Sequence, residues 1–159
     1  MFEDDDDEME DYHKLPIFKK GREILELTEK VISLIPEKDE FNEYRQWMMQ
    51  DAMTLSVKVT GAEAGGMYDI KMECAAFIRK AARDLQVNCT GLKIMGFKET
   101  DYLDVIRNEI EEYRLLFIDW INSFDPWDYA VDRWGLFNPP GVGPFDEDAD
   151  DKLPPPDLF

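Results

Sequence analysis

Between residues 16 and 124 apolar side chains recur every three or four positions, the period of a helix with one buried face. The first helix is predicted to begin at Pro16, where a first-turn proline is tolerated, with Ile17, Ile24, Leu27, Val31 and Leu34 inward and Pro36 as its stop. Asp39 is the expected N-cap of a second helix carrying Phe41, Tyr44, Met48, Ala52, Leu55, Val59 and Ala62, ended by Gly65 and Gly66. A third and longest helix is expected from about Tyr68 to Met95, with Ile70, Cys74, Phe77, Ala81, Leu85, Leu92 and Met95 inward and Gly96 closing it. Thr100 then caps a fourth. Its Leu103, Ile106, Ile110, Tyr113, Phe117, Trp120 and Phe124 step by three and four in strict alternation, the seam of helices crossing at about 20°. Short connections make neighbours antiparallel, and no segment alternates with period two. The fold class expected is therefore all-α, an antiparallel up-down four-helix bundle spanning residues 13–125.

Two segments fall outside this pattern. Residues 1–12 hold too little apolar surface to pack and are expected to be a disordered acidic arm. Residues 126–140 are the reverse: Trp127, Tyr129, Trp134, Leu136 and Phe137 are too apolar to leave in water. They are expected to dock on the bundle or on a neighbouring subunit, and are the candidate interface. Residues 141–159, rich in proline and acid, read as an extended or disordered tail.

Charge changes the functional picture more than the structural one. The chain has 159 residues and a formal net charge of -18. Residues 1–12 carry eight acidic and no basic side chains, and residues 125–159 carry nine acidic and two basic. The stretch between is nearly neutral, with 19 acidic and 16 basic. This pattern disfavours a simple basic-patch nucleic-acid binder and favours a module presenting acidic segments to a basic protein partner. The acidic N-terminus does not resemble a secretory signal and no apolar run is long enough for a membrane span, so cytoplasmic residence is the default expectation.

Candidate chemistry is sparse. The sole histidine, His13, precedes the first helix, so the Glu-x-x-His sets of di-iron bundles are missing. Glu23, Glu26 and Glu29, and Glu109 and Glu112, have the spacing of magnesium-binding carboxylates, but they lie beside the buried seam, where pairing with surface cations is expected. No nucleophile elbow or phosphate-binding loop occurs. Cys74 and Cys89, fifteen residues apart on one helix, lie roughly 22 Å apart and cannot pair within the chain. Catalytic, metal and cofactor sites are thus expected to be absent. Two basic clusters remain. Lys19 and Lys20 lie with Lys14 and Arg22; Arg79 and Arg83 share a face of the third helix beside Lys80. These are the candidate nucleic-acid contacts, and pairing with the chain's own acids is the competing expectation.

One resemblance rests on residues 61–65, Gly-Ala-Glu-Ala-Gly, at the end of the second helix, and on residues 77–85, Phe-Ile-Arg-Lys-Ala-Ala-Arg-Asp-Leu. These lead to Met95-Gly96-Phe97 and then Asp101-Tyr102. In order and spacing they resemble the four-helix-bundle proteins of intervening sequences in 23S ribosomal RNA genes and the related accessory protein of diversity-generating retroelements. The resemblance covers residues 16–124. It implies a homo-oligomer, pentameric in several members, working beside RNA or a reverse transcriptase, and it adds Glu63 as a candidate interface carboxylate. The basic stretch that often follows in that family is here residues 66–71, with one lysine and one aspartate.

Overall fold

A computed structural model describes residues 12–148. Four α-helices form the described body: α1 (Pro16–Leu34), α2 (Asn42–Glu63), α3 (Tyr68–Ile94) and α4 (Thr100–Asn122). No strand occurs among the described residues. Each helix packs on its neighbour in sequence and α4 closes back on α1, giving the up-down four-helix bundle. The α3–α4 seam is the thinnest of the four.

Three sequence expectations are corrected at helix starts. Asp39 does not cap α2: a single 3-10 turn, Asp39–Phe41, intervenes, and α2 starts without a side-chain cap. Thr100 is the first residue of α4, not its cap, and its hydroxyl does not bond the helix start. Tyr12 is not part of a loose arm, because its ring packs edge-on against Phe18 at 5.2 Å. The rest of the expected arm, residues 1–11, lies outside the described residues, as does the tail beyond residue 148.

The core follows the predicted seam closely in α4 and less closely elsewhere. Leu103, Ile106, Ile110, Tyr113, Trp120 and Phe124 are buried, with Phe117 half-buried. In α1 the buried line is Ile17, Gly21, Ile24, Thr28, Val31 and Ile35, whereas Leu34 is exposed. Gly21 sits there because α1 and α2 touch: a Cβ built on it would lie 2.8 Å from the Leu55 carbonyl oxygen. The Tyr113 hydroxyl of α4 donates to that same oxygen at 2.7 Å, so one α2 carbonyl joins three helices. In α3 the buried line is Ala75, Ile78, Ala81, Leu85, Cys89 and Leu92; Ile70, Phe77 and Met95 face outward, against expectation. The predicted line ran one position too early through the first turns, with Cys74 and Phe77 in place of Ala75 and Ile78, a rotation of about 100°.

The α1–α2 turn is held by Arg45, whose guanidinium donates to the Ile35 and Pro36 carbonyl oxygens at 2.7 and 2.6 Å. Those carbonyls lie just past a helix C-terminus, where a cation is favoured, and the Pro36 oxygen also accepts the Lys38 amide at 2.8 Å. Thr28 is the buried exception, since its hydroxyl has no hydrogen-bond partner among the described residues. Thr28→Val keeps the shape and removes that cost, so it should raise unfolding free energy by about 1 kcal/mol. Urea denaturation checks this; a loss of stability would mean the hydroxyl is satisfied.

Candidate functional site

The described chain ends in a folded loop, not in a tail that begins at residue 141. Residues 125–148 leave α4 and return across the N-terminal end of α3. There the Tyr68 amide donates to the Asp128 carbonyl at 2.7 Å, and the Ala130 amide reaches Asp69 Oδ1 at 3.4 Å. Val131 and Pro139 are the loop's buried apolar side chains among the described residues.

Polar side chains hold the rest together. Asp132 accepts three amides, from Trp134 at 3.0 Å on Oδ1 and from Leu136 and Phe137 at 2.8 and 2.7 Å on Oδ2. These bonds, Phe137's foremost, hold the Asp132 carboxyl below its ordinary range. Asn138 returns the favour: its Oδ1 accepts the Asp132 amide at 2.7 Å and its amide nitrogen donates to the Asp132 carbonyl at 3.0 Å. The second half is fastened to the first by Asp148, which accepts the Val131 amide at 2.5 Å, and by Arg133, which donates to the Asp146 carbonyl at 2.5 Å. Gly135, at φ 73°, faces the Pro144 ring, which a Cβ there would meet at 3.3 Å. The expected boundary at residue 140 therefore moves to at least 148.

This framework holds aromatic side chains out in solvent. Trp134 and Phe145 are each 95% exposed, Trp127 85% and Leu136 72%. Tyr129 and Phe137 are half-buried. The loop backbone is tied to the start of α3, but none of the four exposed side chains packs on the bundle. Sequence reading missed Phe145 and the polar frame. The frame did leave a signal: Asp132 with Gly135 three positions on matches the residue preferences of a type I turn, and the Gly135 amide does donate to the Asp132 carbonyl at 3.0 Å.

Glu63 lies at the same end of the bundle and is committed inside the chain. Its Oε1 accepts the Trp120 indole N–H at 2.9 Å, tying the end of α2 to α4. The basic candidates divide into two groups. Lys20 lies among Glu109, Glu112 and Glu23, at 2.7, 2.7 and 3.0 Å, and bonding to Glu109 and then Glu112 raises its pKa above the ordinary value. Lys80 pairs with Asp84. Lys19 is exposed on α1. Arg79 and Arg83 make no ion pair among the described residues. They border a groove of about 310 Å³ along the α3–α4 seam, with an apolar lining that includes Ile78, Phe117 and Ile118. Arg114 borders it too, paired with Glu111 at 2.5 Å.

A larger groove of about 530 Å³ lies between α2 and α3, lined by Trp47, Asp51, Lys58, Phe77, Lys80 and Asp84 among others. Here the Lys58 ammonium stands 4.9 Å from the Phe77 ring centroid. Burial, then repulsion from Asp84, pushes the Asp51 carboxyl up to about 6. A carboxyl that is a weaker acid folded than unfolded costs stability at neutral pH, because the unfolded chain releases the proton first. Stability should thus fall as pH rises from 3.8 to about 6 on account of this group. Asp51→Asn should be more stable than the parent at pH 7, with the gap closing by pH 4. Urea midpoints at both pH values test this, and equal gaps would refute it.

Burial pushes the Cys89 thiol up to about 12 and also raises Cys74, which disfavours the nucleophilic thiolate at both. Among the described residues no three His, Cys, Asp or Glu side chains gather closely enough to hold a metal ion, and no helix is long and apolar enough to cross a membrane. No family model, curated protein or solved structure matches the chain.

Proposed function

We propose that this protein is a non-enzymatic, homo-oligomeric helical scaffold or adaptor whose acidic ends engage basic protein partners. The observation that carries the reading is the loop of residues 125–148. Its hydrogen-bonded frame fixes the backbone while Trp127, Trp134, Leu136 and Phe145 stand in solvent. Exposed aromatic side chains on a pre-ordered backbone are the usual anchors of protein interfaces, because little conformational freedom is lost when they are covered. The acidic side chains around them favour a basic counterpart. Light scattering of the full chain at micromolar concentration tests the assembly: a defined oligomer is expected, and a strict monomer would defeat it.

A second reading, an accessory protein working beside RNA or a reverse transcriptase, follows from the resemblance of residues 16–124. The observation that favours it is the pair Arg79 and Arg83, one turn apart, exposed and without an ion pair among the described residues. Two arginines so placed suit phosphate contacts. Salt-dependent binding to a structured RNA that survives removal of residues 1–11 and 149–159 would support this reading over the first.

A further inference from the structure

We infer that the 125–148 loop of one copy seats in the α3–α4 groove of a second copy. The inference rests on the homo-oligomer reading and assigns it an interface. The loop and the groove complement each other in charge. Residues 125–148 carry six acidic side chains and one arginine, and that arginine is already paired with Asp148 at 3.5 Å. The groove has Arg79, Arg83 and Arg114 on its rim against Glu111. Two of those arginines lack an ion pair among the described residues, so their charge is available to a partner.

They complement each other in shape and polarity as well. The groove has an apolar lining that includes Ile78, Phe117 and Ile118, where the α3–α4 seam is thin. The loop supplies apolar side chains to fill it. Covering an aromatic side chain buries about 150–250 Å², so Trp134 and Phe145 together give roughly 400 Å², half of what one partner buries in a standard interface. The larger α2–α3 groove is a poorer match. Its Lys80 is engaged by Asp84, its Lys58 stands over Phe77, and Asp51 and Asp84 would repel an acidic loop.

Within one chain the contact is not made, since Trp134 and Phe145 stay 95% exposed. The loop is tied to Tyr68 and Asp69 at the start of α3, whereas Arg79 and Arg83 lie ten to fifteen residues along, about 15–22 Å away on the helix axis. Each copy gives one loop and receives one, so two copies can exchange loops about a two-fold axis, or copies can join head-to-tail into a ring or an open chain.

The test uses the full chain and light scattering. Arg79→Glu with Arg83→Glu, and separately Trp134→Ala with Phe145→Ala, should each weaken self-association by at least about 30-fold. All four positions are exposed, so far-ultraviolet circular dichroism should stay unchanged. Mixing the two variants restores a single intact loop–groove pair, so the mixture should form a 1:1 dimer and nothing larger. A parent oligomer that neither pair of substitutions disturbs would overturn this interface and leave the scaffold reading standing; a monomeric parent would overturn both. Loss of binding to a structured RNA hairpin in the arginine variant, with assembly intact, would assign those arginines to RNA and also overturn the inference.

Discussion

Trp120→Ala should lower the unfolding free energy by about 3–5 kcal/mol, the range for removing a large aromatic side chain from a packed interior. Trp120 is 5% exposed and lies edge-on to Phe124, with ring centroids 4.8 Å apart and planes at 81°. Phe117 lies on its other side at 6.1 Å. The substitution empties this cluster and also removes the indole N–H that Glu63 accepts. Trp120→Phe separates the two effects. It keeps most of the ring and loses the hydrogen bond, so its cost should be nearer 1 kcal/mol, since half-buried Glu63 can recruit water. Folded domains are commonly stable by only 5–15 kcal/mol, so the alanine variant should be close to unfolding at body temperature. Urea denaturation followed by circular dichroism is the measurement. A loss below about 1 kcal/mol for Trp120→Ala would show that the site collapses or is wetter than its burial indicates.

Gly21→Val should cost about 2–3 kcal/mol by overpacking, a little offset by valine's better helix propensity. The new side chain would meet backbone. Its Cβ alone would come within 2.8 Å of the Leu55 oxygen, 3.0 Å of the Leu55 carbonyl carbon and 3.2 Å of the Ser56 nitrogen. No rotamer change can relieve such contacts, so α1 and α2 must move apart. That movement would stretch the Tyr113 hydroxyl bond to the same carbonyl, and α4 would be disturbed with them. A variant within about 0.5 kcal/mol of the parent in the same denaturation assay would mean that the two helices do not touch at this point.

The same glycine shows where the sequence was readable and where it was not. In α4 every inward position is large and apolar, so periodicity alone located the buried line. In α1 two of the inward positions are Gly21 and Thr28, which no hydrophobic pattern selects, and Leu34, which a pattern does select, is 45% exposed. In α3 the one phenylalanine misled. Phe77 looks like core but is 50% exposed, and the smaller Ala75 and Ile78 one or two positions away are buried. Small residues allow α2 and α3 to approach closely, and close approach depends on backbone geometry that composition does not encode. Residues 126–140 were legible as an apolar segment that docks, but the order of residues 141–148 and the polar frame were not, because that frame comes from Asp132, Asn138 and Asp148 bonding to backbone across gaps in sequence. The basic clusters were legible as clusters. Which cations were already engaged depended on carboxylates some ninety residues away, as at Lys20 and Glu109.

The contact of Gly21 with the Leu55 carbonyl also bears on how the bundle avoids assembling incorrectly. Amphipathic helices with repeating apolar lines can slide past one another by a turn and still bury a continuous stripe. If α1 slid by one turn in either direction, Ile17 or Phe18, or else Ile24 or Leu25, would face that carbonyl in place of Gly21. Each carries a side chain where there is no room even for a Cβ. A single missing side chain therefore works as a notch that fixes the axial alignment of α1 on α2, and the Tyr113 hydroxyl carries that alignment over to α4.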